Sequence, residues 1–185
     1  MKRIFLTLAV VAAILVIITI VMGLSIGDAT RVDRAVQRSV SNHFLMGMAA
    51  LAFCLLVHAI SLTYFMGTGR WLEETSNAYS LGDSYYESSK KIKYGTLPGL
   101  TACVVLLITT AGLGAVADPG TMTSLGNPFG FTDAQIHFFA ACLTALINVG
   151  VNFSQYVAIS RNSAVVEQVL AEVRRIRQER GLPVE

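Results

Sequence analysis

The sequence predicts an all-α protein, namely a four-helix transmembrane bundle whose fourth helix extends into the cytoplasm. Only 14% of the 185 residues are charged and 54% are hydrophobic, whereas soluble domains have about 25% charged residues. Four apolar runs lie at about 4–24, 44–66, 97–116 and 136–159. Each is close to the roughly 20 residues that a helix needs to cross a bilayer. We therefore expect a four-span membrane domain at 1–160 and an amphipathic helical tail at 161–185.

The first run has the charge pattern of a signal peptide, because Lys2 and Arg3 precede it. Its apolar stretch of about 21 residues is longer than the ~7–15 residues usual in a signal peptide. No clear A-x-A cleavage motif follows the run. We therefore expect a retained signal anchor that forms the first span.

The second run follows a short outer loop of mixed charge at 27–42. Gly67 and Gly69 come directly after the run, and glycine weakens a helix interior. We therefore expect the second helix to end there and a longer inner loop to follow. This loop contains Trp71 and four tyrosines, which suit the membrane interface.

The boundaries of the third and fourth spans follow from proline and from a capping pattern. Leu97 and Pro98 predict the start of the third span, because proline is tolerated in a first helical turn. Turn-forming residues at 118–131 predict the second outer loop. Thr132, with Gln135 three residues later, forms a capping-box pattern that predicts the start of the fourth helix.

The fourth helix is predicted to continue past the membrane as the tail. Apolar side chains recur there at the three- and four-residue spacings of a coiled-coil seam: Val166, Val169, Val173 and Ile176. Gly181 and Pro183 predict its end. Two interpretations stay open. The tail lies on the inner loop or on lipid headgroups, or it mediates self-association or contact with other membrane subunits.

The distribution of Lys and Arg predicts the orientation in the membrane. With the N-terminus inside, the inner segments hold eleven of these residues, and the outer loops hold Arg31, Arg34 and Arg38. Because inner loops have the excess of positive charge, we expect a multi-pass protein of a bacterial-type inner membrane with both termini cytoplasmic. The net charge of +2 is too small to bear on nucleic-acid binding, and the sequence has no basic patch with interleaved aromatic residues, so no nucleic-acid partner is expected.

Three histidines form the pattern with the most chemical content. His43 and His58 lie on the second span with fourteen residues between them, and His137 lies on the fourth span. An ionisable ring at membrane depth is costly and marks a functional-site candidate. Both helices run from outside to inside, and both begin with His-Phe. At about 1.5 Å per residue, His43 and His137 lie near the outer boundary and His58 lies about 22 Å deeper.

This arrangement resembles the four-helix haem bundle of the cytochrome b family of quinol-oxidising respiratory complexes. In that family, histidines on the second and fourth helices bind haem. The resemblance implies an outer haem b bound by His43 and His137. His58 would be a relic, a single ligand or a hydrogen-bonding group for a quinone. The chain has Asn152 where the family has a fourth histidine, and an amide is a poor haem ligand. The family's interior glycines would lie among Gly23, Gly27, Gly99, Gly112 and Gly114.

Three amides recur on one face of the fourth span at the depth of His58: Asn148, Asn152 and Gln155. Exposure of such a polar stripe to lipid would cost free energy. It is interpreted either as hydrogen bonding between helices, at about 0.6 kcal/mol per bond, or as a site for a quinone headgroup or a small polar solute. Thr109 and Thr110 of the third span are expected to join this layer.

The predicted function is an integral membrane, b-type cytochrome-like electron-transfer protein or subunit. Enzyme chemistry beyond electron transfer has little support, because the sequence shows neither a nucleophile set nor paired carboxylates. The main alternative is a cofactor-free structural or assembly subunit of a larger membrane complex. A channel is disfavoured because no charged residue lies clearly inside a span. A zinc or copper site of His43, His137 and Asp133 is a further alternative.

Overall fold

The computed structural model describes residues 1–183 and contains four α-helices. All four are long enough and apolar enough to cross a membrane, which confirms the predicted fold class. Residues 184 and 185, the end of the expected tail, lie outside the described residues. The elements are α1 (Lys2–Leu24), α2 (Arg34–Tyr79), α3 (Ser84–Ala117), a 3-10 turn (Pro128–Gly130) and α4 (Asp133–Glu179).

The helices form a bundle in which α2 and α4 contact each other through the centre. Both α1 and α3 pack against α2 and α4. The core includes the fully buried side chains of Phe5, Ala12, Phe65 and Ile159. Because the chain runs up and down alternately, α2 and α4 are parallel. Their histidine-bearing ends therefore lie at the same end of the bundle.

The prediction that Gly67 and Gly69 end the second helix is wrong, because α2 continues to Tyr79. Each glycine costs a helix interior about 1 kcal/mol relative to alanine. Leu72, which lies beyond both glycines, is fully buried. Burial of a leucine side chain contributes roughly 1.5–3 kcal/mol. Tertiary packing of this segment therefore outweighs its local helix preference.

The outer end of α2 also begins earlier than predicted. Asp33 is the N-cap residue, and its Oδ1 accepts a hydrogen bond of 2.8 Å from the backbone N–H of Ala35. The helix then runs without a break from Arg34 to the histidine-bearing span. Residues 34–42 are therefore helical, and the prediction of a loop across 27–42 is wrong for that part.

The expected long inner loop is a helical hairpin. The connection between α2 and α3 spans only residues 80–83, in which Ser80 and Gly82 have φ of 57° and 75°. Because α3 begins at Ser84, Pro98 lies inside the helix, and the prediction that it belongs to the first turn of that helix is wrong. The proline ring removes one backbone hydrogen bond, and the remaining turns of α3 continue on both sides of it.

Both predicted ends of α4 are confirmed. Thr132 Oγ1 accepts from Gln135 N at 3.3 Å, and Gln135 Oε1 accepts from Thr132 N at 2.9 Å, which completes the capping box. At the other end, Gly181 has a φ of 68°. The N–H of Leu182 donates to the carbonyl of Arg177 at 2.9 Å. These features form a Schellman ending, as the position of the glycine predicted.

Beyond the predicted spans, α2, α3 and α4 form an inner extension, defined here as residues 67–79, 84–96 and 160–179. Val169 of α4 is fully buried. Arg177 Nη1 lies 3.4 Å from the hydroxyl oxygen of Tyr79 on α2. The tail therefore packs against the α2–α3 hairpin of its own chain, as the first of the two open interpretations expected.

Candidate functional site

The structure brings His43 of α2 and His137 of α4 together at the outer end of the bundle. Their ring centroids lie 6.2 Å apart, and the two ring planes are inclined at 77°. Both side chains are partly buried. The predicted approach of these two imidazoles is therefore confirmed.

Each imidazole is held by a backbone carbonyl of a different neighbouring helix. His43 Nδ1 lies 3.1 Å from the carbonyl oxygen of Thr19 on α1, and His137 Nδ1 lies 3.1 Å from that of Thr110 on α3. Because a carbonyl oxygen can only accept, the ring proton is assigned to Nδ1 in both cases. Nε2 is then the unprotonated nitrogen, the form in which a neutral imidazole binds a metal ion.

A glycine packs against each of these imidazoles. A Cβ atom added at Gly23 would lie 3.0 Å from Cε1 of His43, and one at Gly114 would lie 2.9 Å from Cε1 of His137. Carbon atoms normally pack at about 3.5–4.0 Å, so only glycine leaves room for the rings. Two of the five glycines expected from the resemblance therefore lie at the histidines. A Cβ at Gly99 would instead contact Val151, and nothing lies within 4 Å of one at Gly27 or Gly112.

The two halves of the site are built in the same way. On α1, Thr19 precedes Gly23 by four residues, and on α3, Thr110 precedes Gly114 by four residues. One helical turn separates such residues, so the carbonyl and the glycine lie on the same face of the helix. The role of Thr19 was not predicted from the sequence. The repeated T-x-x-x-G pattern before each His-Phe helix is the signal that could have indicated it.

A cavity of about 490 Å³ surrounds the two rings. Its volume lies within the ~300–1,000 Å³ typical of ligand and cofactor sites. All four helices contribute to its mostly apolar wall. Asp118 and Gln135 lie where the outer loop meets the cavity. The apolar wall includes Val16, Ile20, Phe44, Leu51, Leu107 and Phe138.

Thr110 and Thr144 form part of the cavity wall on the side away from the outer loop. Their Oγ1 atoms lie 2.7 Å apart, and Thr144 is buried. The prediction that Thr110 joins the layer of His58 is therefore wrong, since both its carbonyl and its hydroxyl belong to the site of His137. Thr109 is also absent from that layer, because it is exposed on the outside of the bundle. Neighbouring residues on a helix point about 100° apart, so only one of the two threonines can face the interior.

His58 lies in a separate polar layer that does not line the cavity. Its Nδ1 lies 3.2 Å from Oε1 of Gln155, and its Nε2 lies 3.4 Å from Nδ2 of Asn148. A neutral imidazole has one donor and one acceptor, so both ring nitrogens of His58 are engaged. Asn152 donates to Oδ1 of Asn148 at 2.7 Å. The predicted stripe therefore contacts His58 through Asn148 and Gln155, and Asn152 supports Asn148.

The alternative of a metal site with three protein ligands does not assemble. Within residues 1–183, no group of three or more His, Cys, Asp or Glu side chains is placed to hold a metal ion. Asp133 Oδ1 instead accepts a hydrogen bond of 3.1 Å from the backbone N–H of Leu125 in the outer loop. Asp133 therefore organises the start of α4 and does not join His43 and His137.

The fold and the site define a four-helix bundle of membrane-spanning length with two facing imidazoles in an apolar cavity. Comparison with protein-family models, curated proteins and solved structures finds no match for this chain. Because one fold can host many functions, a function has to be argued from the geometry of the site itself.

Proposed function

We propose that the protein is an integral membrane electron-transfer protein of the b-type cytochrome kind, in which His43 and His137 bind the iron of one haem. The main support is the pair of facing imidazoles, whose ring centroids lie 6.2 Å apart within the apolar cavity. Both rings carry their proton on Nδ1, toward a backbone carbonyl. Each ring therefore has Nε2 available as a ligand.

The separation of the rings fits an iron atom between them. Metal–nitrogen bonds of about 2 Å, with about 1.1 Å from each nitrogen to its ring centre, place the two centroids about 6 Å apart. The observed centroid distance agrees with this value. The glycines at 23 and 114 also fit, because they keep the space beside each ring free of side-chain atoms.

A bound haem supplies a reversible one-electron carrier to the outer half of the membrane. The chain's own groups set the conditions for this chemistry. The carbonyls of Thr19 and Thr110 fix the orientation of the imidazoles and increase their basicity as ligands. The mostly apolar wall of the cavity surrounds the rings with a medium of low polarity. Both ring nitrogens of His58 are hydrogen-bonded in the polar layer. We therefore assign to His58 the role of joining α2 to α4.

Absorbance spectroscopy tests the proposal directly. The protein, purified from cells supplied with a haem precursor, should show a Soret band whose position shifts on reduction with dithionite. His43→Leu and His137→Leu should each remove or alter this band, because a single imidazole remains. His58→Leu is the matched control and should keep the band, since His58 does not line the cavity. A wild-type protein without a chromophore, even after addition of haem, would contradict the proposal.

A cofactor-free structural subunit is the alternative function, and one observation favours it. The two imidazoles already contact each other edge to face, and each has a hydrogen bond to a neighbouring helix. Such contacts can hold four helices together without any ligand. In that case, His43→Leu should lower the thermal stability of a colourless protein that binds no added haem.

A further inference from the structure

The outer loop between α3 and α4, residues 118–132, presents apolar side chains that the bundle does not cover. Met122 and Phe129 are fully exposed, at 105% and 98% relative accessibility. Leu125 and Phe131 are 45% and 43% exposed. Exposed apolar groups clustered on one short segment mark an interaction surface.

This loop has no charged side chain between Asp118 and Asp133. The first outer loop is charged by comparison and includes Asp28, Arg31 and Asp33. Arg31 Nε lies 3.9 Å from a carboxylate oxygen of Asp28, and both groups are exposed. The two loops lie at the same end of the bundle, but only the first has the composition of a segment surrounded by water.

The end of the uncharged loop contacts the outside of α4. The ring of Phe131 contacts the ring of Phe139 with centroids 5.6 Å apart and an interplanar angle of 80°. Phe139 is 53% exposed on the outer surface of a membrane-spanning helix. It lies six residues, or about 9 Å, below the start of α4 at Asp133. The end of the loop therefore packs against the exposed outer surface of α4 near the start of that helix.

The backbone of the loop holds Phe129 at its tip in a conformation unusual for an aromatic residue. Phe129 has φ 56° and ψ 18°, and Asn127 has φ 53°. Gly126 and Gly130 have positive φ as well. A positive φ strains the backbone of a bulky residue. Such strain is typical of functional sites, where a side chain has to be held in one position.

We propose that residues 122–131 form an anchor loop that inserts into the outer headgroup–acyl interface of the phospholipid bilayer. Its apolar side chains are continuous with the lipid-facing surface of α4 through the contact between Phe131 and Phe139. Aromatic rings in an uncharged segment settle at this depth. The inserted side chains are Met122, Leu125, Phe129 and Phe131.

The anchor loop has a structural consequence for the cavity. Asp118 and Pro119, just before the loop, and Ala134 and Gln135, just after it, line the cavity. A loop fixed in the interface therefore holds the mouth of the cavity at the surface of the bilayer. This inference does not depend on the identity of any ligand in the cavity.

Site-specific fluorescence in nanodiscs tests the anchor loop. Trp71 is the only tryptophan of the chain, so Trp71→Phe gives a background without tryptophan emission. Phe129→Trp in this background places one probe at the tip of the loop. Emission is compared in phosphatidylcholine nanodiscs with and without brominated acyl chains, and with and without aqueous iodide. We expect the brominated lipid to remove most of the emission and iodide to have little effect.

Val32→Trp in the same background is the matched control. Val32 is 95% exposed, nearly as much as Phe129, but it lies in the charged outer loop. Its emission should be quenched by iodide and should be the same in both lipids. Circular dichroism should show that both variants are folded, and Leu125→Trp provides a second probe position if Phe129→Trp does not fold.

Two results would overturn the proposal. Quenching of Phe129→Trp by iodide alone would place the loop in water. Protection from both quenchers would show that a second copy of the chain or another protein covers the loop. Each comparison is a ratio of emission intensities measured for the same variant with and without a quencher. Energy transfer from the tryptophan to a ligand in the cavity therefore does not affect either conclusion.

Discussion

At the scale of single residues, Gly23 and Gly114 decide how closely α1 and α3 approach the two imidazoles. Neither glycine has a positive φ, so backbone freedom is not the reason for their presence. The reason is space, since a Cβ at either position would contact a histidine ring at about 3 Å. A substitution there therefore acts on the position of the ring and not on the helix.

We predict that Gly114→Ala displaces the ring of His137. Overpacking of this kind costs about 1–3 kcal/mol, and the displaced ring should weaken any chromophore at the site. Thermal unfolding in detergent and titration with haem measure the two effects. Gly112→Ala is the control on the same helix, because nothing lies within 4 Å of its Cβ position. Equal behaviour of the two variants would show that Gly114 has no role at the ring.

At the scale of helices, packing decides where α2 ends and where α3 begins. Gly67, Gly69 and Pro98 are local signals for a helix boundary, yet all three lie inside helices. The inner extension buries Leu72 and Val169 completely. This burial joins segments that are far apart in sequence, so local propensity alone could not reveal it.

The continuity of α2 leads to a stability prediction. Nothing lies within 4 Å of a Cβ at Gly67 or Gly69, and neither has a positive φ. Gly67→Ala and Gly69→Ala should therefore each raise the free energy of unfolding by up to about 1 kcal/mol. Gly82→Ala should lower it, because Gly82 has φ 75° in the turn between α2 and α3. Thermal unfolding followed by circular dichroism distinguishes these signs. Destabilisation by both helix variants would argue that α2 is broken there.

At the scale of the whole molecule, the distribution of positive charge predicts the orientation of the bundle. Eleven Lys and Arg residues lie at the end that includes the inner extension and three at the opposite end. Cytoplasmic segments have this excess. The histidine pair would then lie toward the outer face of the membrane, and the inner extension would lie in the cytoplasm.

Cysteine labelling of intact cells checks this orientation. Val32→Cys should react with a membrane-impermeant maleimide from the outside, whereas Ser80→Cys should react only after the cells are opened. Both positions are exposed. The wild-type chain is the control, because its own cysteines lie within the spans, two of them buried and the third partly buried. Labelling of Ser80→Cys in intact cells would show that the orientation is the reverse of the predicted one.

The number of spans, the capping box at Thr132 and the ending at Gly181 could be predicted because each depends on local rules. Span length follows from the thickness of the hydrocarbon core, and a cap satisfies the free backbone groups of its own helix. The common depth of His43 and His137 also follows from local geometry, since helical rise converts sequence position into height.

The tertiary structure alone decided which groups hold the imidazoles. Thr19 contributes its backbone carbonyl to His43. Because every residue has a backbone carbonyl, the residue type at position 19 did not by itself reveal this role. Thr110 belongs to the site of His137 and Thr109 faces outward because the rotation of α3 against α4 selects one of the two. That rotation is set by packing between helices, and the chain encodes it only through contacts between distant residues.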